Sequence, residues 1–107
     1  MVSRALSVLT REEAERRDKY LRRTYGISLT VYSVMLATQD GRCAICARPP
    51  KPGKNLNVDH DHKTGRVRGL LCFHCNHMLL GRGRENADRH EAAAAYLRSN
   101  RDWRTAA

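Results

Sequence analysis

Residues 43–76 read CAICARPPKPGKNLNVDHDHKTGRVRGLLCFHCN, and the fold is decided within them. Two Cys-x-x-Cys pairs, Cys43/Cys46 and Cys72/Cys75, bracket the stretch with 25 residues between them. Such a turn presents two thiolates convergently, and two turns complete the tetrahedron that zinc takes, with Zn–S bonds of about 2.3 Å. Four sulfurs leave no open coordination position, so a zinc ion held there is structural. The alternatives are a thioredoxin-type redox motif or two disulfides. The redox motif needs a βαβ context that is absent here, and it does not account for a matched second pair.

Between the knuckles, residues 56–60 alternate as a strand, with Leu56 and Val58 on one face and Asn57 and Asp59 on the other. Lys63-Thr64-Gly65 reads as a turn and residues 67–71 as a return strand. A short helix is expected to start near Cys72 and end by Gly81. Zinc would then fix the start of the helix that carries Asn76. It would also clamp both ends of the segment Asp59-His60-Asp61-His62.

Outside this core, Thr10-Arg11-Glu12-Glu13 fits a capping box opening a helix over residues 10–25, with Gly26 as its stop. Glu12/Arg16, Glu13/Arg17, Glu15/Lys19 and Asp18/Arg22 stand acid-before-base at i,i+4, which marks a solvated helix with a thin apolar stripe of Ala14, Leu21 and Tyr25. A second helix over residues 30–39 should bury Val31, Val34, Met35 and Leu36 before Asp40-Gly41 ends it. The last helix, residues 87–99, holds the run Ala92–Ala95 with Tyr96 and Leu97, small residues suited to close packing. Residues 1–9 read as a leader without defined structure.

At 107 residues the chain is expected to be one domain: a helical arm over 10–40, a zinc and catalytic core over 41–81, and a C-terminal helix over 87–99. Only 6% of residues are aromatic, so something besides apolar burial must hold so small a domain together. The N-terminal stretch has no apolar run of the kind used for secretion or membrane insertion, which points to the reducing cytoplasm, where paired cysteines favour metal. The net charge of +9 is spread along the chain, and it suggests a polyanionic partner, of which nucleic acid is the commonest. A merely soluble basic protein is the plainer alternative.

Hydrolysis of DNA needs a base to activate water, a divalent cation to stabilise the pentacoordinate phosphate, and a scaffold to orient both. A hard ion such as Mg²⁺ keeps several waters, so one carboxylate and one amide oxygen suffice, and Asp59 and Asn76 can supply them. His60 or His62 can act as the base. In an ideal strand Asp59 and Asp61 share one face and His60 and His62 the other, so the strand is expected to bend or end near His60. Lys63, Arg66 and Arg68 flank the hairpin as candidate phosphate contacts. His74, His77 and His90 receive no role, and Trp103 is expected to anchor the C-terminal tail.

The runs Gly41-Arg42-Cys43-Ala44-Ile45-Cys46, Val58-Asp59-His60-Asp61-His62, Val67-Arg68-Gly69-Leu70-Leu71-Cys72 and Cys75-Asn76 together resemble the phage recombination endonuclease VII family. Tyr25-Gly26-Ile27-Ser28 and Leu80-Gly81 extend the likeness to about three-quarters of the chain. The resemblance implies an α+β, mostly helical protein. Its ββα-metal (His-Me finger, HNH) core would carry a structural zinc on the four cysteines and be flanked by N- and C-terminal helices. It further implies His60 as general base, Asp59 and Asn76 as ligands of a catalytic Mg²⁺ or Mn²⁺, and His62 assisting at the phosphate or leaving group. Family members resolve branched DNA such as Holliday junctions in recombination, typically as homodimers with a further C-terminal domain, and a phage origin would set the protein in the host cytoplasm. The alternatives are an HNH nicking endonuclease without branch selectivity, a non-catalytic zinc-stapled DNA-binding module, and a redox or zinc-storage protein.

Overall fold

The structure, a computed structural model, describes residues 9–79 and 87–106. Helix α1 (Arg11–Tyr25) opens on the expected capping box: the Thr10 hydroxyl accepts from the Glu13 N–H, and the Glu13 carboxylate accepts from the Thr10 N–H. It closes on Gly26, whose φ of 76° is the left-handed turn a C-terminal glycine permits. Of the four expected side-chain pairs, Asp18–Arg22 forms at 2.8 Å, and Glu15 pairs instead with Arg11 at 3.3 Å. Asp18 does more than pair, because its second oxygen accepts the Leu29 N–H at 2.8 Å. That bond carries α1 across the buried Ile27 into helix α2 (Leu29–Thr38), which Ser28 caps.

Helix α2 buries Val31, Tyr32, Met35 and Leu36. Val34, expected in the core, is 50% exposed, and Tyr32 takes the inward place. The side of α2 that meets the sheet is one residue removed from the expected stripe. Tyr32 fits there because its hydroxyl donates to the Leu56 carbonyl at 2.8 Å, which satisfies the one polar atom of an otherwise apolar body.

Strands β1 (Asn57–His60) and β2 (Val67–Leu71) pair antiparallel, with Asn57 opposite Leu71, Val58 opposite Leu70 and Asp59 opposite Gly69. The register then slips: His60 faces Val67, and Arg68 is the extra residue of a bulge. At the other side of β2, the Gln39 side-chain amide both donates to and accepts from the backbone of Leu70, each at 2.9 Å, completing the ladder as a third strand would. A π-helical turn (His74–Leu79) follows, then helix α3 (Ala87–Arg98) and a 3₁₀ turn (Trp103–Thr105). The short helix near Cys72 is thus present, but wider-wound than expected; its predicted end at Gly81 and most of the predicted leader lie outside the described residues.

A single apolar cluster joins Leu21 of α1, Met35 and Leu36 of α2, Leu56, both strands, Leu79 and Ala93 of α3. Trp103 is buried against the same cluster, as expected of a tail anchor. Among the described residues no helix is long and apolar enough to cross a membrane. The architecture is a small α+β unit in which one two-stranded sheet carries the chemistry-bearing segment.

Candidate functional site

The two knuckles converge. The sulfurs of Cys43, Cys46, Cys72 and Cys75 lie within 4.8 Å of one another, with Cys43 and Cys75 buried. The 3.7 Å between the Cys46 and Cys72 sulfurs matches the edge of about 3.8 Å that a tetrahedron with 2.3 Å bonds requires. Backbone N–H groups point at the sulfurs: Ile45 at Cys43 and Cys75 at Cys72, each at 3.4 Å. Burial pushes the Cys75 thiol far above its ordinary range, and the neighbouring charge of Cys43 adds to it. Cys72 is also raised, first by burial. At Cys43 burial pulls upward too, but backbone donors at Cys46, Cys72 and Ile45 outweigh it and the net shift is down. Sulfurs this close cannot all be thiolates at low cost without a cation among them. The four side chains have the chemistry and spacing to bind a structural zinc, and no other group of three or more His, Cys, Asp or Glu among the described residues is so placed.

The strand that carries Asp59-His60 is irregular where bending was expected. Val58 and Asp59 are both buried, so both faces of β1 are covered just before the bulge. Beyond it the chain turns at once. The Asp61 carboxylate accepts the N–H groups of Lys63 at 2.7 Å and Thr64 at 3.1 Å, and Gly65, at φ 77°, donates back to the Asp61 carbonyl. Those backbone donors, Thr64 first, hold the Asp61 carboxyl below its usual range. Asp61 is therefore the residue that builds the turn. The turn brings His60 and His62 to the same side, with ring centres 4.7 Å apart, and the Tyr25 ring from the end of α1 packs on His60 at 5.5 Å. Burial, with Tyr20 beside it, pushes the Tyr25 phenol up to about 12, so it stays protonated.

Asp59 has partners that were not expected. Arg68, the bulge residue, donates from Nε to one carboxylate oxygen at 2.8 Å and from Nη2 to the other at 3.3 Å, and reaches the His60 carbonyl at 3.4 Å. Tyr96 of α3 donates its hydroxyl to the same carboxylate at 3.0 Å. Burial and then the charge of Asp59 hold the Tyr96 phenol protonated, well above its ordinary range. Arg68, expected as a phosphate contact on the hairpin surface, is thus turned inward, with only 17% of its side chain exposed. The physical reason is the bulge: an extra residue on β2 re-aims its side chain toward the facing strand.

Lys63 lies exposed in the turn, and Arg66 is half-buried with its Nε unpartnered among the described residues. Asn76 is half-buried in the π-helical turn, one residue past the cysteine cluster, its backbone N–H donating to the Cys72 carbonyl at 2.9 Å. An ionised carboxylate offers about four acceptor positions, and Arg68 and Tyr96 take three of them. A carboxylate oxygen and an amide oxygen are the kinds of donor that a hard ion takes, with waters completing its shell.

Sequence reasoning missed Arg68 and Tyr96 as partners of Asp59, and Tyr25 as a neighbour of His60. One signal was available: Gly69 sits inside a strand, where glycine often marks close approach, and a Cβ built there would lie 2.8 Å from the Tyr96 ring.

Comparison with known proteins points the same way as the motifs. A family described as recombination endonuclease VII matches residues 18–99. The "Gene 59 protein" of Mycobacterium phage D29 is 49% identical over 75 residues, covering 70% of this chain and 46% of that protein. The "Gene 59 protein" of Mycobacterium phage L5 is 49% identical over 74 residues, covering 69% and 45%. The chain spans about half the length of these relatives. No solved structure matches it. The match spans both cysteine knuckles and the whole Asp59–His62 segment, and the chain belongs to the recombination endonuclease VII family.

Proposed function

We propose that the chain is a metal-dependent DNA endonuclease of the HNH type, with β1, β2 and the π-helical turn as its ββα-metal unit. The observation that carries this reading is the break in strand register at Asp59/His60. There a buried carboxylate, Asp59, is followed within one turn of chain by a pair of adjacent imidazoles, His60 and His62. Family membership supports it.

In this reading His60 takes the proton from the attacking water, and the Tyr25 ring limits how far the imidazole can swing. Asp59 and Asn76 hold a Mg²⁺ or Mn²⁺ ion, which supplies charge stabilisation at the pentacoordinate phosphate and the departing oxygen. His62 sits beside His60 to protonate or hydrogen-bond that oxygen. Arg66 and Lys63, on the turn between the strands, meet the phosphates on either side. The four cysteines hold a structural zinc that keeps Asn76 in place. The family's description, recombination endonuclease VII, supports recombination as the setting; the reading extends to branched DNA as substrate, a homodimer as working form and the host cytoplasm as location.

A second reading has one observation in its favour. Arg68 already neutralises Asp59, which suits a DNA-binding module that never takes up a second metal. Plasmid nicking separates the two. Zinc-loaded protein should nick supercoiled plasmid with Mg²⁺ or Mn²⁺, and His60→Ala and Asn76→Ala, checked for zinc content, should each lose at least about 100-fold in rate. Intact plasmid bound by all three proteins would leave the binding module. Faster cutting of a four-way junction than of its linear arms would assign branch selectivity.

A further inference from the structure

On the cysteine side of the sheet lies a groove of about 590 Å³, within the range of roughly 300–1,000 Å³ typical of ligand clefts. The loop after the first knuckle forms one wall and the second knuckle the other. Its lining includes Arg48, Lys51, Lys54, Arg89, Asn57 and Phe73 beside Cys46, Cys72 and Cys75 of the cluster, and contains no aspartate or glutamate. The loop is fastened at its base by the Cys43 N–H donating to the Arg48 carbonyl at 2.9 Å. At its tip the Lys54 N–H closes a turn onto the Lys51 carbonyl, also at 2.9 Å. Arg48, Lys51 and Lys54 form no ion pair among the described residues, so their charge is available to an incoming anion.

Phe73 makes the groove more than a basic patch. At 63% exposure it is the most exposed large apolar residue described, yet it is held: its ring lies on His77 with centres 4.7 Å apart and planes inclined by 31°. A braced aromatic face beside three cations matches the two surfaces of a nucleotide, a planar base and an anionic phosphate. An acidic protein segment would satisfy the lysines without using the ring. Duplex DNA would satisfy them too, but its base faces are stacked inside the helix.

We infer that this groove binds a single-stranded stretch of DNA, with one base stacked on Phe73 and its phosphates on Arg48, Lys51 and Lys54. For its ligand class the inference rests on the nuclease reading, but the site is a separate one. Asn57 lines the groove and His60 ends the same strand roughly 10 Å further on. The groove would thus select substrates that offer an unpaired nucleotide a short distance from the bond to be cut.

The test uses zinc-loaded full chain in the His60→Ala background, without added Mg²⁺, titrated into a labelled 12-nucleotide single strand and a labelled hairpin duplex. Phe73→Ala should weaken single-strand binding about tenfold while changing duplex binding less than twofold, and Phe73→Tyr should retain the affinity. The Lys51→Gln/Lys54→Gln double variant should weaken single-strand binding and lower its logarithmic salt slope by about 1.4. Equal single-strand affinity with and without the Phe73 ring would overturn the inference, as would an equal loss on both DNAs or no single-strand binding at all. Plasmid nicking with Mg²⁺ by protein that retains His60, with and without Phe73→Ala, is read separately. Nicking without a Phe73 effect rejects the groove alone, and a Phe73 effect without nicking rejects the nuclease alone.

Discussion

Asp59 is 5% exposed and shares its carboxylate between Arg68 and Tyr96, so three elements meet on one side chain: β1, the bulge of β2, and α3. Removing one partner of a buried pair leaves the other charge unpaired, and this costs more than the pair itself contributes. Arg68→Ala should therefore destabilise the fold by about 3–5 kcal/mol in urea unfolding. Tyr96→Phe keeps the ring and loses only a hydrogen bond to a charged acceptor, for about 1.5–3 kcal/mol. A loss near zero for Arg68→Ala would mean that the pair does not persist in solution. The partners of Asp59 were hard to see in the sequence for a physical reason. Arg68 reads as an outward strand residue until the bulge is known, and a bulge inserts one residue without any change of residue type to announce it. Cysteine spacing, by contrast, is chemistry written directly in the sequence, and the cluster forms as the spacing predicts.

Local rules succeeded where each element carries its own signals. The capping box and glycine stop of α1 lie where their residue types put them, and β2 has the predicted bounds. They failed where a neighbour decides: Val34 and Tyr32 exchange places on α2 because the sheet approaches from the side where Tyr32 can reach the Leu56 carbonyl. The same dependence gives two tests. Gly69→Ala places a methyl against the Tyr96 ring and should cost about 1–3 kcal/mol, read by thermal unfolding. The 3₁₀ turn is tied to β2 through Asp102, which accepts the Val67 N–H at 3.4 Å, caps the turn at Arg104 and pairs with the Arg104 side chain at 2.8 Å. Chiefly through that Arg104 contact, the Asp102 carboxyl is held down to about 2, below an unfolded value of about 3.9. Its stabilising effect is then complete above pH 4 and is lost as pH falls through 4 toward 2. The difference in Tm between wild type and Asp102→Asn should accordingly be constant from pH 7 to 5 and shrink below pH 4. A difference that grows on acidification would contradict the assignment.

For the whole molecule, a metal held by the four cysteines would add what a core this small supplies less well alone. They join the loop before β1 to the segment after β2 with the candidate site between them. Metal binding at such a site is folding free energy, so a strong chelator should lower Tm steeply, and Cys75→Ser should do the same without chelator. Unchanged unfolding after verified metal loss would show that the apolar cluster suffices. In the proposed reading the net charge of +9 would supply the long-range attraction to DNA but place no phosphate by itself. If His60 takes a proton from water as proposed, an added base should replace it by chemical rescue. Plasmid nicking by zinc-loaded His60→Ala with Mg²⁺ would be measured with and without added imidazole. Nicking should be negligible without imidazole and return in a concentration-dependent way with it. Nicking by His60→Ala at the wild-type rate in the absence of imidazole would contradict that role for His60.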